Sequence, residues 1–384
     1  MANTSTIHIK TDFDCIVYDY DQEIGNTKAD TYTNFELRKG EHELTFEYID
    51  GMIISKTINY VVEDADCDYR LVVEIVDVIY KEAIDLSNGL EYYFLEEAYC
   101  LFMKAAEKGY SKAQNSLGDC YKYGIGIEKD FAKAVDWYTK AARQGNATAQ
   151  FNLGICFKNG EGVDSDHTKA MEWFSKAAEQ DYADAQFELG INYEYGIIVE
   201  RNLKQAADWF NKAAAQGHAR AQYKLGSCYH YGDGVEKDLS IAVQWYSKAA
   251  ELGYTPAQYE LGICYEYGKG IEKDFKKAVQ WYTRAAEQGD RTAQCNLGIC
   301  YYYGQGVEKD PTKAVKWFTD AAVISFPSCT TAEFSLGVCY ENGTGVEKSL
   351  TKALKWYTRA AEHGDENAQK ALNRLKSIEA KPCE

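Results

Sequence analysis

The 384-residue chain carries 59 Asp and Glu against 42 Lys and Arg, a formal net charge of −17, with a mean hydropathy of −0.47. Such a balance offers no basic field on which nucleic acid or an anionic membrane surface would dock, so neither is an expected partner. No apolar run reaches the ~18 residues of a membrane span, and the start MANTSTIHIK lacks the apolar core of a secretory signal, so the expectation is a cytoplasmic protein with no membrane association.

The charge is unevenly spread. Residues 1–86 hold 19 acidic and 7 basic side chains, a net −12, and the remainder hold 40 and 35, a net −5. This acidic front reads as β structure, with period-2 alternation over residues 6–10, 14–20, 31–38, 41–48, 52–62 and 69–75. In the last of these Leu71, Val73 and Ile75 fall on one face, Arg70 and Glu74 on the other. Lys39-Gly40, between NFELR and EHELTFEY, is a short hairpin signal. The pattern predicts a small all-β domain over residues 1–80, an antiparallel sandwich or meander. Residues 81–89, with Ser87-Asn88-Gly89 as breaker, form the predicted linker.

Helix formers dominate thereafter. The stretch AQNSLGDCYKYGIGIEKDFAKAVDWYTKAARQG, residues 113–145, is written out seven times. Its Leu-Gly pair recurs at Leu117-Gly118, Leu153-Gly154, Leu189-Gly190, Leu225-Gly226, Leu261-Gly262, Leu297-Gly298 and Leu336-Gly337. All seven tryptophans share one position of the unit: Trp137, Trp173, Trp209, Trp245, Trp281, Trp317 and Trp356. The step is 36 residues except the last, where residues 323–331 absorb three more. A fixed period of this size is the signature of a solenoid, because one helical hairpin cannot bury its own apolar face. The expected fold class is therefore mainly α: a capping helix over residues 90–109, seven helix pairs over 110–364, and a C-terminal capping helix and tail over 365–384.

Within a unit, the first helix (helix A, AQxxLGxCYxxG) brings Gln114, Leu117 and Tyr121 onto one face, and the second (helix B) does the same with Ala134, Trp137 and Ala141. Gly118 and Ala141-Ala142 are small where helices must approach, and Trp137 is large where a gap needs filling. Gly124 is expected to end helix A in a left-handed conformation, and Asp130 to cap helix B. The third repeat departs, with Ile198 for the second glycine and Asn202 at the cap.

The consensus AxAQxxLGxCYxxGxGVEKDxxKAVxWYxKAAExG, over residues 91–375, closely resembles Sel1-like repeats, relatives of the tetratricopeptide repeat. The resemblance implies a right-handed α-solenoid of paired antiparallel helices, acting as a scaffold or adaptor in complex assembly, often in signalling. The segment FELRKGEHELTFEYIDG is similar to the hairpin of PEGA-type β modules and brings no catalytic residue with it. One branch of the repeat family, cysteine-rich secreted bacterial proteins associated with β-lactam binding, carries a Cys pair per repeat at the places of Ala142 and Ala149. Both are Ala here, which argues against that branch, its disulfides and its hydrolase activity.

Chemistry is sought elsewhere without result. The histidines His8, His42, His167, His218, His230 and His363 form no HExxH and no metal-ligand spacing with Cys. Six cysteines, Cys120, Cys156, Cys228, Cys264, Cys300 and Cys339, occupy one repeat position. Neighbouring helix pairs stand roughly 10 Å apart, too far for a disulfide whose Cα atoms must lie within about 7 Å, so these thiols are expected as small buried side chains in a reducing compartment. Gly124-Ile125-Gly126 and its copies follow a helix and lack the GKS/T ending of a phosphate loop. No catalytic residue, metal site or cofactor is expected.

In tetratricopeptide-like superhelices the concave groove is lined by helix A. By analogy its positions include the one two before the Leu, with Phe151, Phe187, Tyr223 and Tyr259, and the one six after it, with Tyr123, Tyr195, Tyr231, Tyr267 and Tyr303. Ile155, Ile191, Ile263, Ile299 and Val338 stand between, with Asp119 and Ser227 breaking the row, and Lys122, Lys158, Glu194, His230 and Glu266 add charge. An exposed aromatic trough of this kind would recognise an extended peptide or a helix of a partner protein. Core packing is the competing reading for the first column. The expected function is a non-catalytic, monomeric interaction scaffold. A hydrolase or receptor for a β-lactam or peptidoglycan fragment, and a translocated bacterial effector, are the alternatives.

Overall fold

The computed structural model describes the backbone of seven strands, then residues 92–323 and 329–379. The strands are β1 (Thr4–Thr11), β2 (Cys15–Asp19), β3 (Gln22–Thr27), β4 (Tyr32–Arg38), β5 (Gly40–Tyr48), β6 (Ser55–Val62) and β7 (Tyr69–Val73). They pair in the orders β4-β1-β7 and β3-β2-β5-β6. The β1–β7 pair is parallel, where an antiparallel arrangement was expected; period-2 alternation is the same for either direction and cannot encode it. The hairpin expected about Lys39-Gly40, and the PEGA-like hairpin with it, is not formed: β4 pairs with β1 and β5 with β2 and β6, so the two described strands belong to different sheets, which a short turn signal between two alternating runs cannot encode. The strand side chains, the turns between the strands and the 81–89 linker lie outside the described residues, and with them the reading of a separate all-β domain.

The chain divides into two compact units, residues 1–182 and 183–384. The first contains helices α1 (Tyr92–Glu107), α2 (Ser111–Tyr123), α3 (Phe131–Arg143), α4 (Ala147–Asn159) and α5 (His167–Glu179). The second contains α6 (Ala183–Tyr195), α7 (Leu203–Ala215), α8 (Ala219–Tyr231), α9 (Leu239–Glu251), α10 (Thr255–Tyr267), α11 (Phe275–Glu287), α12 (Arg291–Tyr303), α13 (Pro311–Ala322), α14 (Thr330–Asn342), α15 (Leu350–Glu362) and α16 (Glu366–Glu379). From α2 to α15 they are the A and B helices of seven pairs, the arrangement of an α solenoid.

Helix ends fall where the linker chemistry puts them. Gly124 closes α2 at φ +76°, its N–H bonding to Cys120 O, and the Asp130 carboxylate accepts from Lys133 N at 3.0 Å to open α3. In the third repeat Asn202 caps α7 by accepting from Gln205 N, so the loss of Asp does not cost the cap.

Between the helices of a pair the expected division of labour changes. The residue that fills the gap is the one after the tryptophan. Tyr138, Phe174, Phe210, Tyr246, Tyr282, Phe318 and Tyr357 are all buried to within 1%. Each ring lies over the glycine of a Leu-Gly pair: a Cβ on Gly118 would stand 2.5 Å from the Tyr138 ring, and on Gly262 2.5 Å from Tyr282. The tryptophans are only half-buried. Trp245 packs back on the cluster containing Phe210 and Leu225, Trp281 on that containing Tyr246 and Leu261, and a cation covers the outer face of each indole, as Lys248 does at 4.0 Å from Trp245. Spacing on a helical wheel put both residues near the buried face. The bare glycine opposite decides which goes in.

Candidate protein-binding face

Six residues beyond the buried Leu is about 600° of helix, or roughly 240° away from it, which turns that side chain outward at the last position of helix A. There Tyr195, Tyr231, Tyr267 and Tyr303 of the second unit are exposed by 61 to 66%, and Tyr123 of the first by 58%. They end α6, α8, α10, α12 and α2, so the four tyrosines of the second unit repeat at one place in successive pairs.

The column two before the Leu forms a floor instead. Phe187 is only 3% exposed, stacked at 4.9 Å on His218 with the Arg220 guanidinium 4.4 Å from its centroid, and it presents no surface to a partner. Phe151, Tyr223 and Tyr259 are half-buried, packed 5.6, 5.7 and 6.0 Å from Phe174, Tyr246 and Tyr282. Of the charged positions, Lys122 pairs with Glu161 at 2.9 Å and Glu194 with Lys224 at 2.8 Å; the Glu194 carboxylate keeps the Lys224 ammonium above its usual range although burial opposes it. Lys158 is half-buried. His230 stacks beside Tyr231 at 4.7 Å with its Nδ1 buried and unpartnered. Burial, then the nearby Lys269 and Lys237, hold its pKa below the ordinary histidine value.

The polar interruptions have a local cause that the sequence reading missed. Tyr138 donates its hydroxyl to Asp119 Oδ1 at 2.6 Å, Tyr246 to Ser227 Oγ at 3.4 Å, Tyr282 to Glu266, and Tyr357 to Glu341 Oε2 at 2.8 Å. Phe174, Phe210 and Phe318, which have no hydroxyl, fall in the repeats with Ile155, Ile191 and Ile299, while Tyr282 and Tyr357, whose repeats carry Ile263 and Val338, reach a glutamate five residues after the Leu. A buried hydroxyl needs an acceptor, so Asp119, Ser227 and Glu266 serve the helix pair before they serve any ligand. The signal was present in the sequence as a Tyr-for-Phe exchange.

In the second unit the positions converge between α12 and α14 on a cavity of about 260 Å³, lined by Ile299, Tyr302, Tyr303, Phe334, Ser335 and Val338, with Phe318 and Thr331. Among the described residues no three His, Cys, Asp or Glu side chains are placed to hold a metal ion, and no helix is long and apolar enough to cross a membrane.

Known proteins share the pair and its register. The Sel1 repeat pattern matches residues 111–146, 147–182, 183–218, 219–254, 255–290, 292–322 and 330–365. The chain belongs to the Sel1-repeat family. Among solved structures it is similar to c5321, a protective antigen of uropathogenic Escherichia coli with an SLR fold, at 34% identity and a TM-score of 0.72 over 78% of this chain. It spans 64% of that protein's length. A Sel1 repeat protein from Oxalobacter formigenes is similar at 31% identity and a TM-score of 0.58, over 78% of this chain and 87% of that one. No curated protein matches. Sel1-repeat proteins are in general protein-interaction scaffolds, and the fold is typical of non-enzymatic repeat proteins.

Proposed function

We propose that the protein is an adaptor that binds an extended peptide or a helix of a partner protein on the exposed tyrosine face of residues 183–384. The observation that carries this reading is the cavity between α12 and α14, because the helix-A positions picked out by register alone supply most of its walls. Its volume of about 260 Å³ lies below the ~300–1,000 Å³ usual for small-molecule sites and suits one large apolar side chain. Tyr195, Tyr231, Tyr267 and Tyr303 add rigid contact area at little entropic cost, and affinity accumulates from modest sites along one surface. In this reading residues 1–80 are a small β module, and the protein is cytoplasmic. The nine described cysteines, all free, support that location.

The test is affinity capture from the source organism's lysate with the intact protein and with Tyr231→Ala/Tyr267→Ala/Tyr303→Ala. All three side chains are exposed, so circular dichroism should show an unchanged fold. A partner held by the intact protein and reduced at least ~10-fold with the variant, a loss of about 1.4 kcal/mol, is the expected result. Equal capture by both places recognition elsewhere and overturns the reading.

A further inference from the structure

Successive repeats bring two positions into contact: the one two before the Leu of helix A, and the residue just ahead of the next helix A. Rings meet there in three repeats, Phe151 with Tyr182 at 5.3 Å, Phe187 with His218 at 4.9 Å, and Tyr223 with Tyr254 at 5.4 Å. In the sixth repeat both positions are cysteine, Cys295 on α12 and Cys329 at the N-cap of α14. Cys295 is 3% exposed within the cluster built by α13 and α14, and the half-exposed Cys329 packs against that same cluster. The Cys295 thiol hydrogen-bonds the Cys329 sulfur, which makes no side-chain cap to α14 and lies near the Arg291 guanidinium.

We propose that Cys295 and Cys329 form a reversible dithiol–disulfide site, oxidised by small-molecule disulfides. The Cys329 thiolate, on the accessible side, attacks one sulfur of the disulfide and expels the other as a thiolate, leaving a mixed disulfide on Cys329. Cys295 gives its proton to the expelled thiolate and attacks the Cys329 sulfur, displacing the second small thiolate. That thiolate takes up the proton released when Cys329 ionised. One small disulfide is thus reduced to two thiols and one protein disulfide is formed.

The half-exposed Cys329 meets the disulfide first and the buried Cys295 second, which sets the order of attack; the contact between the two sulfurs favours the thiolate of Cys329 and, with burial, disfavours that of Cys295. The ladder cysteines differ. Burial pushes Cys300 up to about 12 and Cys339 up to about 11. The bond would tie α12 to the start of α14, whose Thr331 and Phe334 line the cavity.

The reduced full-length protein is incubated with glutathione disulfide, remaining thiols are alkylated, and the digest is read by mass spectrometry without reduction. The expected product has two fewer alkylated thiols and a cross-linked pair of tryptic peptides, 292–309 and 317–348, with fragment ions placing the bond on Cys295 and Cys329. Its melting midpoint rises by on the order of 5 °C and falls back with dithiothreitol. Cys329→Ser removes no cap, since Cys329 makes none, and loses the cross-link. Cys295→Ala leaves Cys329 as a persistent mixed disulfide with glutathione. A cross-link through Cys300 or Cys339, a stable mixed disulfide on Cys329 in the unsubstituted protein, or no loss of thiols from peptides 292–309 and 317–348 would each overturn the proposal.

Discussion

Gly262 acts through the side chain it lacks. Its missing Cβ makes room for the Tyr282 ring, whose hydroxyl then reaches Glu266. Gly262→Ala drives a methyl into that ring and is expected to destabilise the protein by about 1–3 kcal/mol, read as a lower urea midpoint; an unchanged midpoint would show that the ring moves aside freely. At this scale the sequence was legible in the Leu-Gly pair and misleading at Trp137. The reading gave the gap-filling role to Trp137, and the wheel alone could not show that Tyr138, which lies over the glycine, takes it. The exposure of Tyr231 was legible from its place six residues after the Leu, whereas the burial of Phe187 was not, since it depends on His218 and Arg220.

Helix pairs are joined to one another by a glutamine ladder. Gln114 Nε2 donates to Ala106 O at the end of α1, and Gln144 Nε2 donates to Gln114 Oε1 at 2.7 Å; the second bond recurs as Gln180 to Gln150, Gln216 to Gln186 and Gln288 to Gln258. Between the last two of these Leu252 takes the donor's place, and the buried Gln222 Oε1 is left without a partner. Leu252 is 59% exposed and has little packing to lose. Leu252→Gln is therefore expected to restore the bond and raise stability by about 0.5–1.5 kcal/mol, seen as a higher melting midpoint; a lower one would mean that the ladder does not stabilise the array. In the last repeat the ladder changes chemistry, with the buried Glu333 pairing with Arg359 at 2.7 Å and His363 at 2.9 Å. Element boundaries followed from Gly124 and Asp130. The ladder did not, because Gln on an otherwise apolar face reads as tolerated polarity until its partner 30 residues on is seen.

Across the whole molecule the period announced the family, while the division into units did not stand out from it. The departures nearest the division at 182/183 are Asp181, the one non-glycine described at positive φ, and Ile198 in place of a linker glycine. A left-handed Asp where Gly145, Gly217, Gly253, Gly289 and Gly364 stand in other repeats costs backbone strain that Gly avoids. Tyr231, Tyr267 and Tyr303 lie beyond that irregular stretch, in repeats whose linkers keep both glycines, while Tyr195 adjoins the linker with Ile198. The most direct measurement of the central claim is photo-cross-linking in lysate with a photoreactive phenylalanine analogue at Tyr267, on helix A, and separately at the exposed Gln280, on helix B. Position 267 is expected to give one discrete partner adduct and position 280 none. Adducts from 280 alone would contradict it and move recognition to the helix-B side.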